Sequence, residues 1–232
     1  MVGKFENISE SRCSLCFDSK ILFETLTELE ETELKANSVT IKFKKGEVIC
    51  KQGTYASNII YLKEGLAKIF LEFNDKNIIL RVEPAGQLLA LQSLYGNMYR
   101  YTSVAYEDTI VNLIDINFFR KLMFQNATFS YHIANAANDS TISAFDRVIC
   151  LTQKKSHGRI AEVLICLYER IYKELKFKLH FPRKDLAELS NMSVENLTRT
   201  LNDFRNDNIL KIKGNNIEIL NLEQLKTISK KG

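Results

Sequence analysis

Between residues 193 and 207, side chains able to form directional hydrogen bonds fall into a pattern. Glu195, Thr198, Arg199, Asn202 and Asn206 recur at spacings that place them on one face of a helix. Val194, Leu197, Leu201 and Phe204 recur in the same way on another face. A helix of this kind packs along one side and offers hydrogen-bonding groups along the other. Those groups suit the edges of nucleic-acid bases. Arginine grips guanine O6 and N7 with two bonds, glutamate accepts from cytosine N4, and threonine touches the thymine methyl.

The flanking residues supply what such a helix needs. Ser193 is an N-cap for a helix running to about residue 207. Asn191 suits a tight turn, because asparagine is second only to glycine in adopting the left-handed conformation. Before it, residues 183–190 form a first helix with Pro182 in its first turn, Leu186 and Leu189 for a core, and Ala187 small enough for close helix contact. After Asn208, residues 209–213 and 217–220 flank Gly214-Asn215-Asn216, the pattern of a β-hairpin wing with Lys211 and Lys213 in reach of phosphate. Asn221, three residues before Gln224, caps a last short helix. The whole is a winged helix-turn-helix with its second helix in the major groove of DNA. Glu195, Thr198 and Arg199 are the expected base readers, with Ser193, Asn196, Asn202, Arg183, Lys211 and Lys213 as further DNA contacts. Charge agrees: residues 152–232 carry 16 Lys and Arg against 10 Asp and Glu, whereas the preceding residues carry 16 against 18. A positive excess at one end points to a polyanion there.

Upstream, residues 39–43, 48–51, 59–62, 67–73, 78–83, 102–106 and 109–114 are short runs rich in Val, Ile, Phe and Tyr between turn residues. That spacing predicts a jelly roll, with hairpin turns at Gly65 and at Asn74-Asp75-Lys76-Asn77. Residues 117–151 lack Pro and Gly and read as a short helix followed by a longer one. In the longer one Ile133, Ala137, Ser140, Ala144, Val148 and Leu151 form a seam of coiled-coil spacing, which predicts pairing of two subunits; packing on the helix's own domain is the alternative. Residues 152–156 are polar and make a hinge, and helix resumes over 157–176.

Several classes are excluded. No stretch approaches the roughly 18 apolar residues of a membrane span, and the first eleven residues lack the apolar region of a secretory signal, so a cytoplasmic protein is expected. Five scattered cysteines make a poor disulfide framework. A jelly-roll enzyme would hold its metal with histidines inside the roll, yet His132, His157 and His180 all lie outside residues 39–114. No Gly-x-Ser-x-Gly nucleophile motif occurs. A ligand-binding module that regulates a protein partner is the rival reading, and it gives no reason for the basic C-terminal end.

These residues resemble the bacterial cyclic-AMP-receptor and fumarate-nitrate-reduction (CRP/FNR) transcription regulators, from about Phe23 onward. The resemblance is strongest in Arg183-Lys184-Asp185-Leu186-Ala187, Val194-Glu195-Asn196-Leu197-Thr198-Arg199 and Leu210-Lys211-Ile212-Lys213-Gly214. Phe43 to Gly53, Ile60-Tyr61-Leu62 and Gly65 resemble the family's sensor roll, and His157-Gly158-Arg159-Ile160-Ala161 the start of its DNA-binding domain. The resemblance implies an α+β chain: a double-stranded β-helix (jelly roll) sensor over 1–126, a dimerisation helix over 127–151 and a winged helix-turn-helix over 152–232. It implies a homodimer on a two-fold symmetric site in double-stranded DNA, with RNA polymerase as a further partner. Thr198 stands where the FNR-like branch carries Ser, and Val194 where the cyclic-AMP receptor carries Arg, implying an FNR-like half-site. The family's effector pocket maps to Gly86, Gln87, Leu91, Arg100, Tyr101 and Thr102. Leu91 falls at the acidic ribose position and Tyr101-Thr102 at the Arg-Ser phosphate pair, which argues against cyclic AMP. Cys13 and Cys16 supply two cysteines where iron-sulfur members use four, which argues against that cluster; a thiol switch or a shared metal at this pair, and haem near His132, stay open.

Overall fold

The computed structural model describes residues 20–74 and 76–232; Cys13, Cys16 and the turn residue Asp75 lie outside the described residues. Helix α1 (Glu28–Ala36) starts at a capping box in which Thr27 and Glu30 bond each other's backbone N–H, a start the sequence reading passed over. There follow β1 (Ser38–Phe43), β2 (Val48–Cys50), β3 (Asn58–Glu64), β4 (Leu66–Phe73), β5 (Lys76–Pro84), β6 (Gln87–Leu89), β7 (Thr102–Ala105) and β8 (Thr109–Asp115). They pair antiparallel in two four-stranded sheets of order β1-β8-β3-β6 and β2-β7-β4-β5, the expected jelly roll. Alternation along β3 explains the layers: Ile60 and Leu62 turn into the roll with Ile69, Leu89 and Val111, while Ile59 and Tyr61 turn outward onto helices.

Gly65 joins β3 to β4 at a φ of +95°, and a Cβ there would lie 2.5 Å from Thr109 Oγ1 and 2.9 Å from the Asp108 carbonyl oxygen. Gly65→Ala combines a left-handed backbone with a collision against a fixed strand. It is expected to lower stability by about 2–4 kcal/mol, seen as a lower urea midpoint at unchanged slope.

Helix α2 (Ile116–Gln125) is capped by Asp115, and Asn126 both ends it and caps α3 (Ala127–Gln153), accepting from Phe129 N at 2.8 Å. Phe118, Phe119, Leu122, Phe129 and Ile133 bury against Ile59 and Ile114 of the roll. The residues of the expected dimer seam divide between the roll, a cleft and solvent. Ile133 is buried under the roll, Leu151 is half-buried, and Ala137, Ser140 and Ala144 face a cleft between α3 and the roll. Of the six seam residues only Val148, which also edges that cleft, is a large side chain left mostly exposed. Roughly 150° round the helix, Tyr131, Asn135, Asn138, Ile142, Phe145 and Ile149 form a second stripe with alternating spacings of four and three. All of these are exposed except the half-buried Ile142. The sequence contains both stripes; the roll covers Ile133 at the start of the first, while Ala137, Ala144 and Val148 stay exposed along the cleft.

Because α3 continues through Gln153, only Lys154 and Lys155 separate it from α4 (Ser156–Cys166), so the link is shorter than the expected 152–156. From Leu167 to Tyr172 the helix widens to a π turn, and Lys173 ends it at a φ of +58°. The helix expected to reach residue 176 stops there, because Lys176-Phe177-Lys178-Leu179 alternates with the period of a strand. That strand is β9 (Lys176–Lys178), followed by α5 (Arg183–Leu189), α6 (Val194–Asn206), β10 (Leu210–Lys213), β11 (Asn216–Ile219) and α7 (Leu222–Lys231). Strands β10, β11 and β9 form a third antiparallel sheet in that order. No helix among the described residues is long and apolar enough to cross a membrane.

Candidate nucleic-acid interface

Helix α5 begins after Pro182, whose φ of −70° and ψ of 154° make it the N-cap rather than a member of the first turn. Leu186, Ala187 and Leu189 are buried as expected. The chain reverses through Asn191 at a φ of +49°, and Ser190 Oγ donates to the Leu186 carbonyl at 3.0 Å. Ser193 caps α6, its hydroxyl accepting from Asn196 N at 3.2 Å, so this side chain has a structural task besides any DNA contact. Leu197, Leu201 and Phe204 fix the buried side of α6, joined by Thr200. Val194, expected on that side, is 41% exposed.

On the opposite side Glu195, Asn196, Thr198, Arg199, Asn202 and Asn206 are all exposed. Glu195 is held below the usual carboxylate range by its own backbone N–H at the helix start and then by the Ser193 hydroxyl. It therefore stays an ionised acceptor at neutral pH. The Thr198 hydroxyl donates to the Val194 carbonyl at 2.8 Å. Arg199 has no ion-pair partner among the described residues.

The wing is larger than the expected hairpin. Lys213, Asn216 and Lys178 lie opposite one another across its three strands, as do Lys211, Glu218 and Lys176. Directly paired residues share a face, so four lysines, one glutamate and one asparagine make up the solvent side, while Leu210, Ile217, Ile219 and Phe177 are buried on the other. Lys176 and Lys178 were missed in sequence, although their alternation about Phe177 marks them. Arg183 Nη2 donates to the Gly214 carbonyl at 2.8 Å and ties the wing tip to the start of α5. Asn221 Oδ1 accepts from Gln224 N at 3.0 Å and caps α7 as expected.

The roll carries a second region of interest. Between it and α3 lie two adjoining chambers of 390 and 360 Å³ that share Arg81, Gln92, Ser140 and Ala144. Leu88, Leu91, Leu94 and Ile133 make the first largely apolar, and Tyr101 and Arg147 border the second. Of the six residues expected to form an effector pocket, Leu91 and Tyr101 line this cleft. The Tyr101 hydroxyl accepts from Ala90 N at 2.6 Å, and burial pushes its phenol well above the usual range. Gly86 and Gln87 pair with β3 instead. Thr102 turns the other way, its Oγ1 accepting from Gln52 N and donating to Glu72. Arg100 is exposed beside Gly96. Among the polar groups that line the cleft, Arg81 and Glu83 lie 2.6 Å apart, with Arg81 Nη1 donating to Ser140 Oγ at 3.3 Å. A charged pair two residues apart, Arg81 within and Glu83 just after the apolar run Ile78 to Val82, was the available signal. These residues do not fit a cyclic nucleotide: the ribose position is a leucine, the phosphate positions are Tyr101 and Thr102, and the nearest guanidinium is already paired. Among the described residues no three His, Cys, Asp or Glu side chains are grouped to hold a metal.

Comparison with known proteins matches both parts. The profile of a Crp-like helix-turn-helix domain covers residues 158–228, and that of a cyclic nucleotide-binding domain covers residues 40–126. The fumarate and nitrate reduction regulatory protein of Vibrio cholerae is 24% identical over 85% of this chain and 82% of its own length. The electron transport regulator A of Shewanella oneidensis is 22% identical over 80% of this chain and 76% of its own. The structure of FixK2 from Bradyrhizobium japonicum has the same fold, with a TM-score of 0.76 at 19% identity over 82% of this chain and 96% of that one. With its roll and its winged helix-turn-helix both matched in this order, the chain belongs to the CRP/FNR family of DNA-binding transcription regulators.

Proposed function

We propose that the chain works as a homodimer on two-fold symmetric double-stranded DNA, each α6 entering the major groove of one half-site and the bound dimer acting on RNA polymerase. The observation that carries this reading is the exposed row Glu195, Thr198, Arg199 and Asn202 on a helix whose far side is buried. Arg199 pairs with guanine, Glu195 accepts from cytosine, and the Thr198 methyl meets thymine. Lys211, Lys213, Lys176 and Lys178 of the wing hold the flanking phosphates. Two recognition helices then sit about 34 Å apart, one turn of DNA.

The pairing surface is the outer stripe of α3, with Ile142, Phe145 and Ile149 as apolar knobs and Asn135 and Asn138 fixing register. The chain divides functionally into a roll and leading segment over 1–126, the pairing helix from 127, and the reading unit from 152. The effector is a small, mainly apolar molecule whose polar atoms engage Gln92, Ser140 or the Arg81–Glu83 pair. Its signal has a short route: along β4 and β5, Ile69 and Arg81 face the cleft while Lys68 and Val82 face the reading unit.

The test is the salt dependence of DNA binding. Lys211→Ala with Lys213→Ala is expected to reduce the slope of log affinity against log salt by about one per lost phosphate contact, about equally for operator and unrelated DNA. An unchanged slope, measured by fluorescence anisotropy from low to moderate salt, would remove the wing from the interface.

A further inference from the structure

Asp185 is only 6% exposed, and both of its side-chain partners come from outside the reading unit. Lys68 Nζ on β4 lies 3.1 Å from its Oδ2, and the Tyr106 hydroxyl, just beyond β7, donates to the same oxygen at 2.5 Å. Burial, and then the Asp185 carboxylate beside it, push the Tyr106 phenol far up, so it remains a donor. The contacts around this point also cross between the two parts. The Tyr106 ring stacks on Phe181 with centroids 4.9 Å apart, and the Lys68 ammonium stands 5.6 Å from the Tyr106 centroid. His180 Nδ1 lies 2.5 Å from Glu107. At the other end of α5, Arg147 of α3 donates to the Leu189 carbonyl. Leu66, Phe70, Ile79 and Val82 of the roll share one continuous core with Phe177, Phe181 and Leu186.

We infer that Lys68, Tyr106 and Asp185 form a clasp that mounts the reading unit on the roll and so sets the spacing between the two recognition helices of a dimer. The inference rests on the homodimer reading above. Along the peptide chain the reading unit joins α3 through Lys154 and Lys155, a two-residue link that by itself leaves its direction open. The clasp adds a side-chain attachment between the roll and α5 to that peptide link. It is specific because a buried carboxylate tolerates only placements in which its partners follow it; a slipped interface leaves the charge unpaired. A rigid mount raises the effective concentration of the second helix at its half-site, and only when the half-sites are correctly spaced. These three side chains are positioning residues that need not touch DNA.

The test uses the full chain carrying Tyr106→Phe, which keeps the ring stack and removes only the hydroxyl, and separately Lys68→Met. Affinity is measured for a duplex with two half-sites at the selected spacing, for duplexes with the spacer lengthened by about 2 and 4 base pairs, and for a single half-site. The wild-type chain is expected to favour the selected spacing by about 100-fold, and each variant by about tenfold or less, with single-half-site affinity unchanged within about twofold. Variants that keep the wild-type spacing preference would overturn the clasp. So would variants that lose half-site affinity in parallel, since that marks damage to the reading unit itself. A wild-type chain indifferent to spacing would remove the two-headed reading and the clasp with it. One that discriminates spacing while its variants discriminate equally removes the clasp alone.

Discussion

Arg199→Ala is expected to lower operator affinity about 5- to 150-fold for each half-site while leaving binding to unrelated DNA nearly unchanged. Arg199 is exposed, and no ion-pair partner among the described residues competes for its guanidinium. Removing it costs α6 none of its buried contacts, because Leu197, Leu201 and Phe204 carry the packing. Glu195→Ala should act in the same direction at the neighbouring base pair, since its carboxylate is ionised at neutral pH. In a dimer each loss occurs twice, so the single-contact factors multiply. The double variant Glu195→Ala, Arg199→Ala should fall to the level of non-specific binding, which for specific regulators lies about 10³- to 10⁷-fold lower. Parallel anisotropy titrations with operator and scrambled duplexes check this, and the ratio of the two affinities is the decisive quantity.

The second large effect concerns pairing. Phe145→Asp with Ile149→Asp places two carboxylates on the outer stripe of α3, opposite the same two on the partner. Both positions are more than half exposed, 63% and 53%, so the fold of a single chain should tolerate the change. Like charges on both sides of a seam oppose association, and the apolar area that favoured it is lost. A monomer is expected in sedimentation equilibrium. Affinity for a two-half-site operator should drop about 10²- to 10⁴-fold, to that of a single half-site, because the second helix is no longer tethered. Ala137→Asp or Ala144→Asp on the opposite face should instead perturb the cleft, leaving the dimer in place. That contrast separates the outer stripe from the seam that spacing alone first indicated.

Sequence made the reading unit legible because its elements depend on local chemistry. Ser193, Asn191 and Asn221 act on residues within three positions of themselves, so turn and caps follow from residue type. The roll was legible through strand spacing, except β6, whose three residues between Gly86 and the left-handed Ala90 are too few to show a period. What stayed hidden depends on tertiary contact. α3 carries two stripes of helical spacing, and only the position of the roll shows that Ile133 lies under it and that Ala137, Ser140 and Ala144 line the cleft. Arg81 and Glu83 become a cleft pair once β5 is paired with β4, and Asp185 becomes a clasp residue once α5 meets Lys68 and Tyr106. The family's Arg-Ser positions suggested Arg100 and Thr102 for the pocket. Strand geometry instead turns Thr102 toward Glu72 and leaves Arg100 outside.

Selection of bound duplexes from a random-sequence library, carried out side by side with the unaltered chain and Arg199→Ala, bears most directly on sequence-specific reading by α6. The unaltered chain should enrich two identical inverted half-sites with centres about one helical turn apart. The variant should enrich the same arrangement with one base position per half-site relaxed. Enrichment of no sequence, or of the same sequence at undiminished strength by the variant, would contradict the assignment of α6 as the reader.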